Sequence, residues 1–309
     1  MSTAVTIGSV VLPTPVMTAS GTAGHGAELA PYFPLNQLGA VVVKSLAAYE
    51  WAGNPAPRVH TAGNGMINAV GLQGPGVSAW LDHDLPALAA TGARIVASIW
   101  GRSVDDYRRA AEQMADAPDS VVAVEVNLSC PNLEGRRGIF AHDAALSAEV
   151  IRATAACARP RWAKLSPNTD RVVEVAGAVH DAGAEAVTLV NTLLGMVLDP
   201  ATGRPALGAG GGGYSGTPIH AVAVRTIFDV RAALPDLPIV GVGGVASGWD
   251  AAELLLAGAN AVQVGTATFD DPRAPLRVQQ ALLEWCARRS LSPSELSGLA
   301  HRGGLPPTR

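Results

Sequence analysis

The sequence predicts an α/β fold, a single (β/α)8 TIM barrel with long loops at the C-terminal face of its strands. Three observations carry this prediction: eight short apolar runs, alanine-rich helical stretches between them, and a length of 309 residues. A barrel of this kind takes about 250 residues or more. Because the runs are almost continuously apolar and do not alternate with polar residues, we expect strands buried on both faces, as in a parallel sheet covered by helices.

The predicted strands follow one another along the chain, with a helical stretch after most of them. They are Pro15–Ala19, Ala40–Lys44, Arg94–Trp100, Val121–Leu128, Trp162–Leu165, Ala186–Val190, Pro238–Val242 and Ala261–Val264. One helix has clear ends, an N-cap candidate at Ser247 and a glycine stop at Gly258. Such alternation indicates parallel strand–helix units, for which a doubly wound open sheet is the alternative to a barrel.

Two stretches interrupt this alternation. Residues 46–80 contain Gly, Pro and Asn with little helical pattern, and residues 193–217 end in a glycine-rich run. Long irregular segments inside a compact domain are usually functional loops. We therefore predict one barrel domain over residues 1–309, with functional loops at these two places and a frayed tail from about Leu299.

Composition excludes several classes of protein. The net charge of −4 argues against nucleic acid as the main partner. Cys130, Cys157 and Cys286 are widely separated, so they predict no disulfide framework, iron–sulfur cluster or metal site. The N-terminus has no basic region before its apolar stretch, and no 20-residue window is apolar enough to span a bilayer. We expect a cytoplasmic enzyme that acts on a small molecule.

Chemistry-bearing residues follow several of the predicted strands. In barrels, the C-terminal ends of the strands form the active site. Lys44 and Lys164 stand at such ends, and a buried lysine without an anionic partner is costly, so both predict an anionic or electron-rich ligand. Gly243-Gly244 and Gly265-Thr266 follow the last two strands, where backbone N–H groups can approach a phosphate closely.

Cys130 differs from the other two cysteines because it lies in a loop just past the fourth predicted strand. As a thiolate, a cysteine can serve as a nucleophile or a general base. A Cys/His/Asn triad is not legible in the sequence, which disfavours a protease. Cys157 and Cys286 are expected to be inert core residues.

Nine segments of the chain stand out together: MTASGTAGHG (17–26), VVVKSL (41–46), GMINAVGLQGPG (65–76), EVNLSCPN (125–132), AKLSPN (163–168), NTLLGM (191–196), YSGTPI (214–219), GVGG (241–244) and VQVGTATF (262–269). Taken together, these segments resemble dihydroorotate dehydrogenase of class 1, and the 1B branch in particular. The resemblance covers residues 5 to 285 in the family's order.

The resemblance implies a barrel that holds FMN and oxidises dihydroorotate to orotate in pyrimidine (UMP) biosynthesis. Cys130 would remove the C5 proton while hydride passes from C6 to flavin N5. Lys44 would be the second catalytic residue, and its charge would compensate the substrate carboxylate. The implied FMN contacts are Ser20, Lys44, Ser45, Ser98, Asn127, Lys164, Val190, Gly216, Gly243, Gly244, Gly265 and Thr266. The implied substrate contacts are Lys44, Asn68, Ala69, Val70, Gly71, Leu72, Asn127, Asn191 and Thr192.

The chain departs from the family pattern at Ser98, where class 1B has an asparagine with a longer side chain. The resemblance also implies a homodimer and a separate FAD and iron–sulfur subunit that passes electrons to NAD. The sequence leaves the final electron acceptor open. Two other functions stay open: an FMN barrel acting on another dihydropyrimidine, and a flavin-free binding barrel.

Overall fold

The structure is a computed structural model that describes residues 2–129, 131–132 and 138–306, and only the backbone at 131, 132 and 138. Its strands are β1 (Val5–Ile7), β2 (Val10–Leu12), β3 (Val16–Thr18), β4 (Val41–Val42), β5 (Val59–Ala62), β6 (Gly65–Asn68), β7 (Ile95–Ile99), β8 (Val121–Asn127), β9 (Pro131–Asn132), β10 (Gly138–Ile139), β11 (Arg161–Lys164), β12 (Ala186–Leu189), β13 (Leu193–Gly195), β14 (Gly212–Gly216), β15 (Ile239–Val242) and β16 (Ala261–Val264). Its α-helices are α1 (Val77–His83), α2 (Leu85–Ala89), α3 (Val104–Met114), α4 (Ala144–Ala153), α5 (Val172–Asp181), α6 (His220–Ala233), α7 (Gly248–Ala257), α8 (Ala267–Asp270), α9 (Ala274–Arg288) and α10 (Pro293–Leu296).

Eight parallel strands form a closed (β/α)8 barrel. The sheet runs in the order β3, β16, β15, β12, β11, β8, β7, β4, so each strand lies beside its neighbours in the chain. The ring closes between β3 and β4, where the N–H of Gly39 donates to the carbonyl of Val16 at 2.8 Å. All eight predicted strands are confirmed, and the closure rules out the doubly wound sheet.

The N-terminal end of the barrel is closed by a hairpin that the sequence analysis did not predict. Strands β1 and β2 pair antiparallel. Ile7 and Leu12 are fully buried and pack in one cluster with Met17 and Trp162 from inside the barrel. This apolar layer separates the barrel interior from solvent at the N-terminal end of the strands.

Helix α7 begins and ends where the sequence predicts. The hydroxyl of Ser247 accepts a hydrogen bond from the N–H of Asp250 at 3.2 Å, and the Asp250 carboxylate accepts one from the N–H of Ser247 at 2.7 Å. This reciprocal capping satisfies two N–H groups that the first turn leaves unpaired. Gly258 ends the helix with φ of +132°, a conformation that side chains rarely adopt.

The two stretches that were predicted to be irregular loops pair with each other instead. Strands β5 and β6 come from the first stretch, β13 and β14 come from the second, and together they form an antiparallel sheet in the order β13, β14, β6, β5. Helix α1 also begins inside the first stretch. The loop assignment was therefore wrong in part, because β6 and β14 are about 150 residues apart and local pattern carries no sign of their pairing.

The predicted fraying from Leu299 is also corrected. Leu299–Arg302 forms a 3-10 helix, and the imidazole of His301 stacks on Phe228 at a ring-centroid distance of 3.9 Å. His301 also bonds to the carbonyl of Ala257 at 3.0 Å, which docks this segment on α6 and α7. Over the part of the chain that the structure describes, no helix combines the length and apolar character needed to cross a bilayer.

Candidate active site

A cavity of about 570 Å³ lies between the C-terminal ends of the barrel strands and the antiparallel sheet above them. This volume is typical of pockets for small molecules and cofactors. Eighteen of the residues that the sequence singled out lie in its wall: Ser20, Lys44, Ser45, Asn68, Ala69, Val70, Gly71, Leu72, Asn127, Lys164, Val190, Asn191, Thr192, Gly216, Gly243, Gly244, Gly265 and Thr266.

Two sequence-predicted site residues remain. Cys130 lies outside the described residues. Ser98 is fully buried and is not among the residues that line the cavity. Its hydroxyl lies 2.9 Å from that of Ser45, which is in turn 3.1 Å from the hydroxyl of Ser20. The side chain of Ser98 is too short to reach past Ser45 into the cavity, so it supports the cavity wall from behind.

Three amide and ammonium side chains meet at the centre of the cavity. Asn127 and Lys164 are the last residues of β8 and β11 and lie side by side in the register of the two strands. The amide of Asn191 lies 3.5 Å from Oδ1 of Asn127, whose Nδ2 lies 3.4 Å from the hydroxyl of Ser45. Behind them, the hydroxyl of Tyr107 donates to the carbonyl of Asn127 at 2.6 Å. This floor presents both donors and acceptors to a planar polar ligand.

A glycine turn forms one end of the cavity. Gly243 and Gly244 follow β15 with φ of +134° and +68°, and a Cβ at either would lie within 2.7 Å of Ala223 or His220. Only glycine fits so close to α6. The exposed N–H groups of such a turn, next to the beginning of a helix, form an anion-binding site.

His220 stabilises this turn, and the sequence analysis did not identify it. Its Nδ1 lies 2.8 Å from the carbonyl of Gly243, and its Nε2 lies 3.1 Å from the carboxylate of Glu253. The two ring nitrogens thus connect the glycine turn to α7, which carries Glu253.

The loop that covers the opposite end of the cavity is anchored by side chains that were also missed. Trp51 donates from its indole to the carbonyl of Gly71 at 3.0 Å, and Asn54 donates to the carbonyl of Ala69 at 3.1 Å. Leu72 is held at φ of +61°, which is unusual for a side chain of its size. These contacts pre-form residues 68–72 as a wall. The sequence carries no local signal for them beyond the Gly and Pro content of the stretch.

Ser129 is another cavity residue that the sequence analysis passed over. It lines the cavity one residue before Cys130, and its N–H donates to Oδ1 of Asn127 at 3.2 Å. Within the described part of the chain its buried hydroxyl has no hydrogen-bond partner. A buried hydroxyl is normally paired, so its position favours a polar ligand in the cavity.

Burial of Lys164 was taken to predict an anionic or electron-rich ligand, but this lysine also has an anionic partner within the protein. Its Nζ lies 3.5 Å from the carboxylate of Glu125, and both side chains are buried. The protein therefore supplies an anion of its own at this position, from two residues earlier in the strand that carries Asn127.

The sequence profile of the family described as dihydroorotate dehydrogenase matches residues 2–285. The chain is 44% identical over 306 residues to the "Dihydroorotate dehydrogenase B (NAD(+)), catalytic subunit" of Desulforudis audaxviator, covering 98% of this chain and 99% of the relative. The protein of the same name from Alkaliphilus metalliredigens is 42% identical, with 93% and 94% covered. A "Putative dihydroorotate dehydrogenase A (fumarate)" from Solibacter usitatus is also 42% identical, with the same coverage. The chain belongs to the dihydroorotate dehydrogenase family, where it resembles the class 1B catalytic subunits along nearly its whole length.

Proposed function

We propose that this flavin-dependent dehydrogenase holds FMN in the cavity, oxidises dihydroorotate beside it, and delivers the electrons to a separate subunit. The observation that carries the proposal is the arrangement of the cavity, which joins a glycine turn suited to a phosphate with a floor of amide, hydroxyl and ammonium groups. The oxidation of dihydroorotate to orotate is the activity of the family. The cofactor's identity, the individual contacts and the electron acceptor are the proposed parts.

The residues present fit FMN. The N–H groups at Gly243, Gly244, Gly265 and Thr266 would hold its phosphate, at a turn whose positive φ at Gly243 and Gly244 and close approach to α6 require glycine. Lys164 and Asn127 would contact the polar edge of the flavin ring, and Ser20, Ser45, Val190 and Gly216 would enclose the rest. When bound, the flavin supplies the acceptor for the hydride that leaves C6 of dihydroorotate.

The other end of the cavity suits the substrate. Lys44 would compensate the charge of the substrate carboxylate, while Asn68, Asn127 and Asn191 match the alternating donors and acceptors of a cyclic imide. Residues 69–72 and Thr192 would complete this wall. Strands β6 and β14 cover the cavity from above and limit the access of water, which strengthens electrostatic interactions inside.

Cys130 is the proposed base for the C5 proton. It stands in the chain directly after Ser129, which lines the cavity and bonds to Asn127. A thiolate there would accept the C5 proton of the substrate and become a thiol.

An external electron route is part of the same proposal. Two of the three relatives named above are catalytic subunits of NAD(+) enzymes, and their name implies a further subunit. We propose that this chain forms a homodimer in the cytoplasm and is completed by an FAD and iron–sulfur subunit. The relative named for fumarate is equally similar, so fumarate is the second candidate acceptor.

The decisive experiment is anaerobic titration of the purified protein with dihydroorotate. The expected result is a yellow protein that releases FMN on denaturation and is bleached stoichiometrically, with orotate as product. A yellow protein that dihydroorotate does not bleach would overturn the substrate, and a protein that does not retain FMN after reconstitution would overturn the cofactor.

A further inference from the structure

A buried carboxylate lies in the barrel interior directly beneath the cavity floor. Glu125 is fully buried on β8 and its side chain points into the barrel, two residues before Asn127. Its Oε1 lies 3.5 Å from Nζ of Lys164, the ammonium group in the cavity wall. The Glu125 carboxylate and the Lys164 ammonium therefore form a buried ion pair at the cavity wall.

Two further strands hold this carboxylate in place. Its Oε2 accepts hydrogen bonds from the amide of Gln263 at 2.8 Å and from the hydroxyl of Thr188 at 3.1 Å. Gln263 lies on β16, which is opposite β8 in the ring, so the first of these bonds spans the barrel interior. Both donors fix the position of the carboxylate inside the barrel. All of these groups are buried, and their mutual geometry is fixed by four strands.

The pair has a consequence for whatever lies above Lys164. A cation at this place favours the more negatively charged, reduced form of a bound flavin. An anion 3.5 Å behind the cation opposes that effect, because charges inside a protein are poorly screened. The electrostatic potential above Lys164 is then determined by Glu125 and Lys164 together, and not by the lysine alone.

We propose that Glu125 is a positioning residue that orients the Lys164 ammonium and lowers the reduction potential of the flavin by compensating its charge. This inference rests on the proposed binding of FMN. Partial compensation keeps the reduced cofactor a better donor to the next electron carrier, while Lys164 retains its contact with the ring.

The test is the midpoint potential of the flavin in the holoenzyme, measured against a reference dye. For Glu125→Gln, which keeps the shape and removes the charge, we expect the ratio of reduced to oxidised flavin at a fixed potential to rise about tenfold, or ~30 mV for a two-electron couple. For Lys164→Met we expect a shift of similar size in the opposite direction. General loosening of the site would not give shifts of opposite sign.

Thr188→Val is the matched control, because it disturbs the same carboxylate without changing the charge of the cluster. For this variant we expect the ratio of reduced to oxidised flavin at a fixed potential to stay within about threefold of the wild-type value, equivalent to ~15 mV by the same conversion. An equal shift in Thr188→Val and Glu125→Gln, or an unchanged or lower potential in Glu125→Gln, would overturn the proposal.

A second measurement does not need flavin. Removal of one partner leaves an uncompensated buried charge, so thermal unfolding of the apoprotein should show Glu125→Gln and Lys164→Met each losing several degrees. The double variant should be at least as stable as either single variant. If the losses in thermal stability of the two single variants add up in the double variant, Glu125 and Lys164 do not stabilise each other and the proposal fails. This outcome does not depend on FMN binding, so it separates this inference from the proposed function.

Discussion

The hydroxyl of Ser98 lies 2.9 Å from that of Ser45, behind the cavity wall that Ser45 helps to form. The wall at the end of β7 is therefore built in two layers, with Ser98 fully buried in the outer one. The longer amide of an asparagine at this position would extend past Ser45 toward the cavity. At this departure from the family pattern, the short side chain of Ser98 supports Ser45 from behind.

Ser98→Asn is predicted to bind FMN more tightly than the wild type. One added hydrogen bond contributes about 0.5–1.5 kcal/mol, which corresponds to a two- to tenfold lower Kd. Ser98→Ala, which removes the partner of Ser45 and adds no contact, is the control and should weaken binding by a few-fold at most. Fluorescence titration of apoprotein with FMN measures both. Weaker binding by Ser98→Asn would show that the space behind Ser45 is already filled.

Cys130→Ala is predicted to leave the protein yellow and to slow flavin reduction by dihydroorotate at least ~10²-fold, the usual contribution of a positioned acid–base group. Cys130→Ser should regain activity only at higher pH, because a hydroxyl is a far weaker acid than a thiol. Stopped-flow bleaching of the flavin under anaerobic conditions measures each rate. Near-normal reduction by Cys130→Ala would remove Cys130 as the base.

The remaining cysteines provide an internal control for that assignment. Burial raises the pKa of the Cys286 thiol to about 11 and raises that of Cys157 as well. Both thiols are therefore neutral near pH 8 and poor nucleophiles. Iodoacetamide should label the native wild type only at Cys130, and dihydroorotate should slow that labelling. Fast labelling at Cys157 or Cys286 in the folded protein would contradict the burial argument.

Acidification is predicted to destabilise the protein partly through His25. Burial lowers the pKa of His25, with the positive charge of Lys44 adding to the effect and Asp84 and Glu28 opposing it. The unfolded state then binds a proton below about pH 6.5 that the folded state does not bind, so stability is present above this pH and is lost as pH falls toward the lower folded pKa. His25→Gln should therefore lose less stability than the wild type between pH 7 and pH 5.

Urea unfolding at several pH values checks this prediction. The pKa of His142 is also lowered by burial, so His142→Gln is the companion variant that separates the two contributions. A difference between wild type and His25→Gln that stays constant from pH 7 to pH 5 would show that folding does not lower the pKa of His25.

The isolated chain is predicted to oxidise dihydroorotate with an artificial dye or quinone, and to show little or no activity with NAD alone. We propose a single flavin site in this chain, and its three cysteines do not have the spacing of an iron–sulfur cluster. Co-purification with an iron–sulfur flavoprotein that restores NAD reduction would support the class 1B route. Efficient NAD reduction by the isolated chain would contradict it, and robust fumarate reduction would favour the 1A branch.

The sequence by itself determined the barrel and most of the residues around its mouth. Each strand appears as a local apolar run, and a parallel barrel brings the C-terminal end of every strand to the same face. Residues such as Lys44, Asn127 and Lys164 could therefore be placed together from position in the chain alone. The glycines after β15 and β16 were predictable for the same reason.

Only the tertiary structure decided the contacts between segments that are distant in the chain. The pairing of β6 with β14, the support of Ser45 by Ser98, and the compensation of Lys164 by Glu125 each join residues from different strands. Local composition records which side chains a strand carries, but not the strand to which an inward-facing side chain reaches across the barrel. That choice depends on register and on the packing of all eight strands, which is why the glutamate beneath the lysine had no signal in the sequence.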